Sequence, residues 1–326
     1  MKTEIIGDRL YLPENITPEK IYSYIAQCAQ LAMLLEVSAS PKPGNVDRNH
    51  NYEDTRYEHF LASAVSVHPL VETASKGKGS AGRYIRSAVY ESSLWQRGGN
   101  THFGAFVLLI PLSMAAGEIF ESRHHFTINE LISSAYSIVK NTDVNDAIDF
   151  YSAFRMGKVK VTSIDKYDLN DDRSIDALKK DRSTLFDLMI ISRNRDIIAD
   201  EWSNGFKRCG YCASLIMDAL QRYPEVLNDD KIDINNVVVY AFLKILSENT
   251  DTFIQTKFDK ETADAVSRTA KSIIEMIDSD GLTFGMVLPY IERFDNDLID
   301  KKINPGSTAD IVIAGLFIAL IGGLRY

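Results

Sequence analysis

Three polar loops in this 326-residue chain collect the side chains that bind phosphate, hold hard cations or move protons. The first is Ser40-Pro41-Lys42-Pro43-Gly44-Asn45-Val46-Asp47-Arg48-Asn49-His50, running on to Glu53-Asp54. Its prolines fix backbone angles, and Gly44 permits close approach of a ligand. Lys42 and Arg48 are phosphate-type cations, a point charge and a two-pronged fork. Asp47, Glu53 and Asp54 are hard oxygen ligands of the kind Mg²⁺ takes beside substrate phosphates. An exposed turn with solvated charges explains the same composition about as well.

The second loop is Gly98-Gly99-Asn100-Thr101-His102-Phe103-Gly104. Asn100 or Thr101 is placed to cap the apolar helix that follows, leaving amide groups at a positive helix end, which is an anion site. His102 falls on the first turn, either within reach of a bound anion or as a hydrogen-bonded core histidine. The third is Asn304-Pro305-Gly306-Ser307-Thr308-Ala309-Asp310. Here Asp310 reads as a metal ligand or as the acid of a capping box with Ser307. Two weaker clusters, Glu248–Thr252 and Ser192–Asp196, put carboxylates at helix ends. At the first the acids oppose the dipole and hint at a cationic partner, whereas Asp196 suits a helix start.

Helices must position these loops. Ile21, Ile25, Cys28, Ala29, Ala32 and Leu35 recur at three- and four-residue intervals and stop before Pro41. Similar periodicity predicts helices from Phe60 to Val71, Ile85 to Ser92, 103–116 with a kink at Pro111, 128–139, 144–154, 185–191, Arg195 to Leu220, 237–246, 262–277, 284–293 and 307–324. Strand signals are confined to a hairpin over 5–12 and a short strand at 159–162. The expectation is an all-α fold, one large multi-helix domain over 1–326 with buried central helices, in which 158–181 forms an insertion or flap.

Bulk properties exclude several classes. A net charge of −9 argues against a general nucleic-acid binder. Cys28, Cys209 and Cys212 cannot build a disulfide framework, and the Cys209/Cys212 pair lacks the further ligands a structural zinc needs, so buried packing is the better reading. The apolar runs at 104–116 and 311–324 fall short of the ~20 residues that span a bilayer. With no leader pattern at the start, a cytoplasmic protein without membrane contact is expected. A homodimer stays open.

Together the loops resemble the triphosphoribosyl-dephospho-CoA synthase family, which makes the prosthetic-group precursor of citrate lyase and malonate decarboxylase. The likeness lies in Ser40–Arg48, His59-Phe60-Leu61-Ala62-Ser63-Ala64, Asn100-Thr101-His102 with Gly104, and Pro305-Gly306-Ser307 with Ala309-Asp310. It implies an all-helical fold with ATP and dephospho-CoA, or a related nucleotide acceptor, as substrates. An acceptor ribose hydroxyl displaces adenine from ATP and keeps the triphosphate, with Mg²⁺ as the implied cofactor. It also implies roles: metal binding for Asp47, Glu53, Asp54 and Asp310; base catalysis within the same acidic set, with Asp47 and Asp54 as candidates; proton donation for His102. Substrate contacts would fall to Lys42, Gly44, Arg48, Asn100, Thr101, Gly306 and Ser307. The chain departs from the family where Phe103 stands in place of a Lys, and where no Gly pair follows Asp251-Thr252-Phe253. It looks like a diverged branch. A metal-dependent ribosyl or ADP-ribose-type glycohydrolase and a non-catalytic nucleotide binder are the competing readings.

Overall fold

A computed structural model describes residues 9–13, 16–157, 167, 173–223, 227 and 233–326. After a short strand β1 (Arg9–Tyr11) come α1 (Ile21–Ser38), α2 (Tyr57–Ser66), α3 (His68–Ser75), α4 (Ala81–Trp95) and α5 (Phe103–Ser122). Strand β2 (His125–Thr127) leads into α6 (Ile128–Lys140) and α7 (Val144–Met156), followed by α8 (Arg173–Asp181), α9 (Leu185–Ser192), α10 (Ile197–Asn204) and α11 (Lys207–Gln221). The last five are α12 (Ile234–Glu248), α13 (Thr252–Lys257), α14 (Lys260–Asp278), α15 (Phe284–Asp300) and α16 (Gly306–Ile321). The fold is all-α, as expected. Its described strands are only β1 and β2, paired antiparallel with Leu10 opposite Phe126. The Gly7 turn of the expected hairpin and the strand at 159–162 lie outside the described residues. Of the 158–181 segment, residues 173–181 form α8.

α5 and α16 are apolar on every side because both are enclosed by other helices. Close packing is bought with small residues: a Cβ on Gly315 of α16 would lie 2.6 Å from Cys212 Sγ on α11. That contact explains Cys212 as a buried packing residue. α5 runs 20 residues, so the argument from insufficient length fails for it; the helix is long and apolar enough to cross a membrane, yet 89% of its apolar window is buried in the protein. Pro111 inside α5 removes the amide that would bond the Val107 carbonyl. Trp202, fully buried on α10, donates its indole Nε1–H to that oxygen at 3.0 Å.

Two long periodic stretches each prove to be two helices. The stretch from Phe60 to Val71 breaks between α2 and α3, where Pro69 sits in the first turn of the new helix. That from 195 to 220 breaks at Gly205, whose φ of +83° ends α10 in a left-handed cap. Phe206 follows at φ +59°, and the fully buried Glu201 accepts from the Arg208 and Cys209 amides, sewing the start of α11 to α10. Periodicity ran through both breaks because the apolar faces of the paired helices point to the same core.

Candidate active site

The first loop leaves α1 at Ala39 and is held from within. Asp47 accepts from the Asn49 amide at 2.7 Å and the His50 amide at 2.9 Å, and lies 3.3 Å from the Lys42 amide. Gly44 has φ +74°, and a Cβ there would come 2.2 Å from the Ile303 carbonyl oxygen. The close approach that Gly44 permits is therefore to the chain before α16, and a ligand is not involved. Tyr52 donates to the Gly44 carbonyl at 2.6 Å, closing the loop on itself.

Three cross-links bring the separate loops together. Thr55 Oγ1 donates to the Gly98 carbonyl at 3.2 Å. Asn45 Nδ2 reaches the Pro305 carbonyl at 3.5 Å. Asp310 packs on Gly104 so closely that a Cβ on that glycine would stand 2.1 Å from Asp310 Oδ2. Between the loops lies a cavity of about 520 Å³. Of the sequence-derived site residues, Glu53, Asp54, Asn100, Thr101, His102, Gly306, Ser307 and Asp310 line it. A second hollow of about 300 Å³, floored by Phe106 and rimmed by Gln96 and Arg97, shares the wall Asn100–Phe103.

Four expected members lie elsewhere. Lys42 is fully buried, ion-paired with the buried Glu36 and 5.9 Å from the Phe242 ring centroid, so its charge is already spent inside the protein and does not serve as a surface phosphate clamp. Arg48 is exposed and donates to Asn235 Oδ1 at 3.0 Å, away from the cavity lining. Asp47 and Gly44 also sit behind the cavity wall. Asp47, Glu53, Asp54 and Asp310 do not form a single four-ligand metal cage. Among the described residues the metal-type group with ligand atoms within 4.8 Å is Asp47, His50 and Asp295.

Helix ends also differ from expectation. α16 begins at Gly306 with Pro305 as its N-cap, so Asp310 lies inside the helix and closes no capping box with Ser307. α5 begins at Phe103 with His102 in the N-cap position, so neither Asn100 nor Thr101 is the cap and His102 precedes the first turn; Asn100 Oδ1, further out, accepts from the Phe103 amide at 3.0 Å. Asp310 takes the Ala105 amide, so two amides of the α5 start are already engaged. Asp251 gives no sign of a cationic partner: it caps α13 through the Phe253 and Ile254 amides and accepts both the amide and hydroxyl of Thr308 at 2.8 Å. Asp196 caps α10 through the Ile198 amide.

Burial sets the protonation states. Desolvation, then the nearby Glu36 charge, holds the Asp310 carboxyl well above the usual carboxylate range, against the pull of the Ala105 amide. Glu36 is raised by burial too, with Lys42 opposing. His102 is 1% exposed, and desolvation followed by the Lys42 charge lowers it to about 3. Burial thus favours the neutral imidazole, which counts against the proton-donor role expected of His102. Its Nδ1 bonds Ser63 Oγ at 2.9 Å, while its buried Nε2 has no partner. Orphaned buried polar atoms are rare enough to mark a ligand position. Thr101 Oγ1 and Asn304 Oδ1 are orphaned at the same cavity.

Sequence reasoning missed Glu36, Lys257 and Lys302 on the cavity wall. Glu36 carried a signal, a lone carboxylate within the apolar run Leu34-Leu35-Glu36-Val37 just before the first loop. The two lysines carried none, because the Glu53–Thr55 and Asn100–Gly104 walls of the shared cavity lie far away in the chain. Lys302 stands at φ +56° in a left-handed helix cap that glycine would favour, with its amide on the Ile299 carbonyl at 3.0 Å.

Comparison with known proteins identifies the family and the fold. The model of the family described as ATP:dephospho-CoA triphosphoribosyl transferase matches residues 22–325. A Citrobacter koseri protein named "Probable 2-(5''-triphosphoribosyl)-3'-dephosphocoenzyme-A synthase" is 22% identical, covering 95% of this chain and 94% of its own. A crystal structure assigned to a triphosphoribosyl-dephospho-CoA synthase from Archaeoglobus fulgidus superposes with a TM-score of 0.62 at 23% identity. It covers 81% of this chain and all of its own length, and supports the fold.

Proposed function

Because the chain belongs to the ATP:dephospho-CoA triphosphoribosyl transferase family, we propose that it moves the triphosphoribosyl group of ATP onto a ribose hydroxyl of dephospho-CoA and releases adenine. The observation that carries this reading is the convergence of three distant loops on one cavity with unpartnered buried polar atoms and the buried Asp310 carboxyl.

In the reaction the C1′–N9 bond of ATP breaks and a C1′–O bond to the acceptor forms. Adenine must gain a proton as it leaves, and the attacking hydroxyl must lose one. Asp310 suits the first task, since burial raises its carboxyl and so strengthens its hold on a proton that it can pass to the departing base. Asp54 and Glu53, exposed at the cavity mouth, suit the second. His102 Nε2 positions substrate by a neutral hydrogen bond. The triphosphate is assigned to Lys257 and Lys302, with Ser307 beside them on the cavity wall; the Gly306 and Thr308 amides at the start of α16 are already taken by Asn304 and Asp251. Mg²⁺ fits this donor set: it is content with one or two carboxylates plus phosphate oxygens, and Glu53 and Asp54 offer hard oxygens beside the lysines. Bound with ATP, it would neutralise phosphate charge.

The test is incubation with ATP, Mg²⁺ and dephospho-CoA, with adenine followed by chromatography. Adenine release that requires dephospho-CoA is expected. Release at the same rate without the acceptor would make the protein a hydrolase. ATP binding without adenine release under either condition would make it a binder.

A further inference from the structure

Behind the cavity wall, the first loop meets α15 at a cluster the reaction does not use. Asp47 and Asp295 are both fully buried, and His50 between them is 31% exposed. His50 Nδ1 lies 2.8 Å from Asp295 Oδ2 and 4.0 Å from Asp47 Oδ1, and all three ligand atoms fall within 4.8 Å of one another. The closest approach is short enough for an ion pair, although its angle falls outside good hydrogen-bond geometry. Asp295 uses its other oxygen on the Gly44 amide at 2.9 Å, so Oδ2 alone points into the cluster.

We propose that Asp47, His50 and Asp295 bind one divalent transition-metal ion of the Mn²⁺ or Zn²⁺ class. Charge supports it, since a doubly charged ion can offset two buried carboxylates, whereas one imidazole can offset at most one of them. Ligand chemistry supports it as well. One imidazole nitrogen with two carboxylate oxygens suits a borderline transition ion better than Mg²⁺, which prefers an all-oxygen shell. Both carboxylates carry amide hydrogen bonds of the kind that orient metal ligands, from Asn49 and His50 on Asp47 and from Gly44 on Asp295. The ion would clamp the loop to α15 and so hold Tyr52, Glu53 and Asp54 at the cavity.

The experiment uses the full chain, chelator-treated and free of nucleotide, dialysed to equilibrium against Mn²⁺, Zn²⁺ or Mg²⁺. One equivalent of Mn²⁺ or Zn²⁺ should bind and raise the melting temperature, with Mg²⁺ at least about tenfold weaker. His50→Ala and Asp295→Asn should each weaken binding by about tenfold or more. His50 is the more exposed position, and Asn keeps an oxygen for the Gly44 amide, so at least one variant should fold; circular dichroism verifies this. Absence of stoichiometric binding to the parent would overturn the proposal and leave an ion pair. So would binding that both folded variants retain in full, which would place the ion elsewhere.

Discussion

His102→Asn tests whether the imidazole is held neutral by burial. Asn can keep an acceptor where Nδ1 meets Ser63, but it cannot titrate. In the parent, the folded-state pKa of about 3 lies below the ordinary value of 6.5. The unfolded chain therefore takes up a proton that the folded chain refuses, and stability falls as pH drops from 6.5 toward 3. At pH 5 an unfolded imidazole is protonated about thirtyfold over neutral, so this one group should cost about 2 kcal/mol relative to pH 7.5. The raised carboxyls Asp310 and Glu36 act in the opposite sense, since their folded forms hold protons more tightly than the unfolded chain does. Subtracting variant from parent removes their contribution. Urea unfolding followed by circular dichroism at pH 7.5 and pH 5 gives the four free energies needed. The parent-minus-variant difference should shift by about 2 kcal/mol against the parent at the lower pH. A difference constant to within about 0.5 kcal/mol would refute a buried neutral His102 and restore it as a candidate acid.

Gly104→Ala should lower adenine release by about tenfold or more with helicity unchanged, because the new Cβ would displace Asp310 Oδ2 from a position 2.1 Å away. Trp202→Phe should cost roughly 1–3 kcal/mol by orphaning the Val107 carbonyl. Adding Pro111→Ala, which restores an amide for that oxygen, should recover part of the loss in a double-mutant cycle. Lys302→Gly should move two measurements in opposite directions: it relieves the strain of a left-handed lysine, raising the melting temperature, and it weakens ATP affinity by removing a cation. A lower melting temperature with unchanged affinity would show that Lys302 serves the fold alone.

Helical periodicity and the two all-apolar segments were enough to specify an all-α protein, because a helix enclosed on every side has to be apolar on every side. The three polar loops were legible for a related reason: Pro, Gly and capping residues interrupt periodicity wherever the chain must turn. Their ordered motifs also carried the family. Which charges line the cavity depends on packing alone. Lys42 looks like a phosphate ligand in sequence, yet burial beside Glu36 turns it into a core ion pair. Asp310 looks like a cap, but a helix that starts one residue earlier at Gly306 carries its carboxyl across to Gly104. Lys257, Lys302 and Asp295 reach their places only when α13 and α15 close on loops far away in the chain. Sequence spacing reports what is near along one helix or loop. Desolvation and charge pairing depend on neighbours supplied by other helices, and those two effects decide which of these side chains is free to do chemistry.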